Sequence, residues 1–234
     1  MRNYCLSKLL PSCQKLIENI VEPKIEHNNN QFSDLLNMAP MSTYFLDEKI
    51  KYIPGKKIRF SEKTQMLISG STTLSRALKT MEVDGWKLVV AQRGQGTATD
   101  LRRKTVFISS RVLNHPNLTI QALSHEIGHI FYTEKPNIKS KSNFISYFLA
   151  SEGAATIKNI EIQREIINHM AVDIGIMANP RNIKCYNEVY DNYLIDNKFD
   201  EATKYIGEIY RYNEITSNNL KPYGQYYNEV YNDL

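Results

Sequence analysis

The clearest run of apolar positions lies between residues 118 and 132. Ile120, Leu123, Ile127, Ile130 and Phe131 recur three or four residues apart, the spacing of one buried helix face. Pro116 and Asn117 supply a break and a cap before it, with Thr119 as a second candidate cap. A second helix is predicted over residues 151–167. It is entered from the apolar segment 144–150 and carries Ala154, Ala155, Ile157, Ile160, Ile162, Ile166 and Ile167. The polar stretch 133–143, with Pro136 as its stop signal, separates the two. Upstream, Trp86–Gln92 and Thr105–Ser109 have the composition of strands joined through a loop holding Gly94 and Gly96. Shorter β-type runs fall at 49–60 and 65–69, and residues 72–81 read as a helix.

The two ends of the chain have their own character. Leu6, Leu9, Leu10, Leu16, Ile17 and Ile20 predict a helix over residues 1–21, followed by an Asn-rich linker at 22–34. Beyond residue 180 tyrosines accumulate: Tyr186, Tyr190, Tyr193, Tyr205, Tyr210, Tyr212, Tyr223, Tyr226, Tyr227 and Tyr231. Residues 200–214 read as a helix with Ala202, Tyr205, Ile206, Ile209 and Tyr210 on one side. The expected organisation is an N-terminal helical and linker segment, 1–34, and a single domain over 35–234 with a Tyr-rich helical C-terminal part.

Composition narrows the class without deciding it. With 234 residues, 42% of them hydrophobic and 23% charged, the chain has the make-up of a folded domain able to bury a core. No run approaches the roughly 18 continuous apolar residues of a membrane span. A formal net charge of +4 is too small to imply nucleic acid. Arg102-Arg103-Lys104, the densest basic cluster, reads as a solvated turn, with docking of an acidic substrate as the sharper alternative. Lys8 and Pro11 interrupt the apolar region that a Sec signal peptide needs, so any export is expected to use dedicated machinery. Cys5, Cys13 and Cys185 contain no Cys-x-x-Cys and read as free thiols of a chain folded in a reducing compartment.

The chemistry concentrates in His125-Glu126-Ile127-Gly128-His129. On a helix, positions i and i+4 share a face, so both imidazoles can aim at one ion. Glu126 is next to them, placed to reach a water on that ion without ligating it. Two neutral imidazoles, a borderline-soft divalent metal and a carboxylate base are the parts of metal-assisted hydrolysis, with Zn2+ the expected ion. Gly128 costs roughly 1 kcal/mol of helix propensity against Ala, which marks a close backbone approach. A catalytic zinc takes three protein ligands and keeps one position for water. Glu152 is the expected third. It is read on the first turn of the next helix, beside Gly153, Ala154 and Ala155, which are small enough for two helices to pack closely. Glu161, His169 and Asp173 are the fallbacks. A tyrosine after residue 180, or His169, could stabilise an oxyanion.

His125-Glu-Ile-Gly-His129 followed by Ser151-Glu-Gly-Ala-Ala155 resembles the zincin metallopeptidases of the gluzincin type. Gly94-Gln-Gly-Thr-Ala-Thr-Asp100 and Lys104-Thr-Val-Phe-Ile-Ser-Ser110 are similar to the glycine-rich hairpin and strand that precede the metal helix in small effector and toxin zincins, NleD-like proteases among them. The likeness spans residues 85–170. It implies an α+β zincin-like fold: a small, mostly antiparallel sheet on an active-site helix and a second ligand-bearing helix, with extra C-terminal helices. It further implies a secreted zinc endopeptidase acting on a protein or peptide of a target cell; separately, the chain is expected to be a monomer. One of the two predicted strands is then expected to bind substrate along its edge. Two alternatives stand beside this: an amide hydrolase acting on peptidoglycan stem peptides, and a non-catalytic zinc-containing interaction module.

Overall fold

The computed structural model describes Cys13 and residues 56–135, 140–216 and 219–233. The helix expected over 1–21 and the linker at 22–34, apart from Cys13, lie outside these residues, as does the first half of the run at 49–60. The chain falls into two compact units. Among the described residues one unit comprises 56–133 and 154–177, and the other Cys13, 134–135, 140–153, 178–216 and 219–233.

The first unit is α+β. Its elements are α1 (Glu62–Ser69), α2 (Thr72–Val83), β1 (Lys87–Val90), β2 (Ala98–Asp100), β3 (Thr105–Ile108), a short α3 (Ser110–Leu113) and α4 (Pro116–Phe131), completed by the second half of α5 (Lys141–Met170). Residues 65–69, expected to be β-type, belong to α1. Ser61 accepts a hydrogen bond from the Thr64 amide, Glu62 occupies the first turn, and this local capping outweighs a short apolar run. Ser71 caps α2 in the same way. Its own hydroxyl donates to Glu165 of α5, and Glu165 also accepts from the Thr73 amide. Those donors hold the Glu165 carboxyl below its usual range, although partial burial pulls the other way.

The sheet differs from the expected hairpin. β1 pairs with β3 in parallel, Val89 opposite Phe107, and β2 pairs antiparallel on the far side of β3, giving the order β1-β3-β2. Residues 98–100 form a strand of their own, which reverses the chain once more and brings β3 back alongside β1. The sheet is therefore mixed, not mostly antiparallel. Since β3 is central, both its edges are occupied and it cannot take up an extended substrate. An isolated antiparallel bridge from Lys57 meets Val89 of β1. Beneath the sheet, Leu74, Met81, Val106, Ile108, Ile120, Leu123, Ile127, Ile162 and Ile166 form one buried cluster.

The second unit is helical among the described residues. It consists of the first half of α5 with α6 (Ile183–Asp196), α7 (Phe199–Asn213) and α8 (Tyr223–Asn232). Gly207 makes one close approach possible, because a Cβ there would stand 2.6 Å from the Leu149 carbonyl oxygen. Phe144, Phe148, Tyr186, Tyr210 and Tyr223 are among its largest fully buried side chains. Cys13 and Cys185 are joined in a disulfide, their Cα atoms 5.6 Å apart, in place of the free thiols expected from spacing alone. A pairing between residues 172 positions apart leaves no local signal in a sequence. Cys5 lies outside the described residues. No helix among them is long and apolar enough to cross a membrane.

Candidate metal centre

α4 begins one turn earlier than its apolar stripe suggests. Pro116 is its first residue, where a missing amide hydrogen costs nothing, so this proline starts the helix and does not break away from it. His115 stands at the cap without a side-chain cap bond, so neither Asn117 nor Thr119 caps the helix. The interior of α4 is buried on every side from Thr119 to His129. Ile120, Leu123 and Ile127 are in the core as expected, Ile130 is half-buried, and Phe131 reaches solvent. The histidine face is buried as well: His125, Glu126 and His129 are all at 0% exposure.

The two imidazoles lie one turn apart with ring centroids 4.9 Å from each other and planes nearly perpendicular. Burial lowers His125 to about 3, and lowers His129 as well, with the neighbouring His125 adding to the effect. Both rings are held neutral, the form in which imidazole ligates a metal.

Gly128 explains how the next helix comes near enough. A Cβ on it would stand 2.4 Å from the Ala155 Cα and 3.0 Å from the Ala154 carbonyl oxygen, so α4 and α5 touch backbone to backbone. Glu152 is carried by that same unbroken α5, three residues before Ala155. α5 runs 30 residues, so Glu152 is well inside it and not in the first turn as read from the sequence. A favourable interaction with the helix dipole does not account for a carboxyl placed there. Glu152 is fully buried, and burial pushes its carboxyl up to about 8, with a hydrogen bond from Tyr227 pulling the other way.

His125, His129 and Glu152 form a cluster in which one ligand atom from each lies within 4.8 Å of the others. Metal–ligand bonds of about 2.0–2.2 Å place the ligands of one ion within about 4 Å of each other, so the cluster is close to that spacing. Two neutral nitrogens and one carboxylate oxygen form a donor set suited to a divalent ion. The group can hold a metal.

The fallback ligands are engaged elsewhere. Glu161 meets Lys158 at 2.6 Å and accepts from Thr73. His169 contacts the Gly70 carbonyl oxygen through Nδ1 at 2.8 Å, and Asp173 accepts from Gln163 and from the Gly175 amide. Two further residues had no individual role in the sequence reading. Thr99, on β2, donates its hydroxyl to Glu126 Oε2 at 2.7 Å, and Tyr227, on α8, donates to Glu152 Oε1 at 2.6 Å. Thr99 falls within the glycine-rich segment 94–100, and Tyr227 is one of ten tyrosines after residue 180. Neither carries a spacing signal that links it to its carboxylate. Cys13, Cys185 and Glu188 also bring ligand-type atoms together, but sulfurs bound in a disulfide offer no thiolate. The Arg102–Lys104 cluster is an exposed turn between β2 and β3, with Lys104 at φ 47° and Arg103 beside Asp100. Comparison with family models, with curated proteins and with solved structures gives no match.

Proposed function

We propose that this protein is a zinc-dependent amide hydrolase, a metallopeptidase with His125, His129 and Glu152 as ligands and Glu126 as its proton-transfer group. The observation that carries this reading is the convergence of those three buried ligand groups with a second carboxylate, Glu126, next in sequence to the first ligand. Zinc bound there would supply an acidified water and polarise the scissile carbonyl. Glu126 accepts the proton of the attacking water and returns it to the leaving amine. Thr99 holds one oxygen of Glu126, which restricts the rotamer of that carboxylate. The two imidazoles stay neutral and so remain ligands across the ordinary pH range. A protein or peptide of a target cell is the substrate class in keeping with the residues that resemble effector zincins; stem peptides of peptidoglycan are the alternative.

Complete burial favours a second reading, in which the ion clamps α4 to α5 and no turnover occurs. Glu126→Gln separates the two. The variant is expected to keep its zinc, measured by elemental analysis, and to lose all cleavage in a comparison of new N-termini in cells expressing it or the wild type. Incubation with purified sacculi examines the stem-peptide alternative in the same way. If the wild type holds zinc yet produces no new termini and releases no stem peptide, the clamp reading takes over. If Glu126→Gln cleaves as the wild type does, Glu126 is not the base.

A further inference from the structure

Tyr227 is fixed on three sides. Its ring stacks on Phe148 at 5.2 Å with planes 25° apart, and Phe148 lies one helical turn before Glu152 on α5. Tyr223 and Tyr226 flank it with centroids at 5.9 Å and 5.2 Å. α8 itself sits hard against α7 at Gly224, where a Cβ would stand 2.9 Å from the Arg211 carbonyl oxygen. From this seat the hydroxyl reaches Glu152 Oε1, and both side chains are buried. A carboxylate held at one oxygen ligates through the other, with its plane already set. Orientation of ligands by such outer hydrogen bonds is a general determinant of metal affinity.

We propose that Tyr227 is a positioning residue for Glu152, so that the C-terminal helix sets the affinity of the centre for its metal. The proposal rests on Glu152 being a ligand. Its test compares the metal-free full chain as wild type, Tyr227→Phe and Tyr186→Phe, titrated with Zn2+ against a chromophoric chelator, alongside the melting temperature of each. Phenylalanine keeps the ring that packs on Phe148 and removes only the donor. Tyr186 is the control: it too is a buried tyrosine of this unit donating to a buried carboxylate, but that carboxylate is Glu214. Tyr227→Phe is expected to bind zinc roughly 10–100-fold more weakly. Tyr186→Phe is expected to melt earlier and bind as the wild type does. Wild-type affinity in Tyr227→Phe overturns the proposal, and so does an equal loss in Tyr186→Phe, which would mark general softening. A wild type that binds no zinc removes the ligand assignment and the proposal together, whereas zinc binding unchanged by Tyr227→Phe removes the proposal alone.

Discussion

Glu152 and Glu214 are both fully buried carboxyls raised by desolvation, yet their surroundings differ in kind. Glu214, at the end of α7, is ringed by donors: the Asn179 amide at 3.0 Å from each of its oxygens, Asn182 Nδ2 at 2.8 Å and the Tyr186 hydroxyl at 2.9 Å. That is how a protein satisfies a buried carboxyl for its own stability. Glu152 accepts from the Tyr227 hydroxyl and is grouped with two neutral imidazoles, which ligate as it does. Donors gathered round an acid make a structural joint. Lewis bases gathered round an acid make a place for a cation.

The sharpest way to break this comparison is to delete a Lewis base. His129→Ala is expected to abolish stoichiometric zinc, measured by elemental analysis after dialysis, because two protein ligands do not make a stable site. Zinc held one-to-one by that variant would place the ion elsewhere. Next in size is the helix contact that makes the cluster possible. Gly128→Ala puts a methyl group where the Ala155 backbone already stands, and is expected to cost about 3 kcal/mol in urea unfolding and to weaken zinc binding. An unaltered midpoint would mean that α4 and α5 can part without harm.

Glu214 allows the contrasting prediction. Burial pushes it up to about 7, with Asn182, Asn179 and Tyr186 as donors pulling it down and the charge of Glu152 raising it further. The folded state therefore holds this proton more tightly than the unfolded chain. The contribution is fully present below about 4.5 and is lost as pH rises through about 7, on the order of 3 kcal/mol. Glu214→Gln should flatten that part of the stability profile and leave zinc binding intact. A profile with the wild-type slope would assign the pH dependence to other groups. The smallest effect concerns Glu126 and its hydrogen bond from Thr99. Thr99→Val is expected to lose about 1–2 kcal/mol of stability and to slow cleavage, with zinc affinity unchanged, and Thr99→Ser to restore both. Equal turnover in the valine variant would show that Glu126 orients itself.

Much of this centre was legible in the chain because its strongest constraint is local. His125 and His129 share a face through the helical repeat, Gly128 announces a close approach, and the small residues after Glu152 announce the helix that comes close. The length of α5 was hidden because 141–150 is less regularly apolar than 151–167. The mixed sheet was hidden because β2 is only three residues, too short for an alternating pattern. Pro116 is ambiguous in a sequence because proline has two opposite uses, breaking a helix inside it and starting one at its first position. The disulfide and the Glu214 joint depend on partners far along the chain, for which a single sequence holds no signal.

The sequence by itself determined the helix that bears the two imidazoles, and it put Glu152 forward among four candidate ligands. These follow from periodicity and residue chemistry, which act over a few neighbouring positions. Only the tertiary structure decided that all three donors are sealed from solvent, that Thr99 and Tyr227 hold the two carboxylates, and that β3 lies central in its sheet. Those facts depend on which distant segments share the same space, and packing sets that only once the whole core has formed.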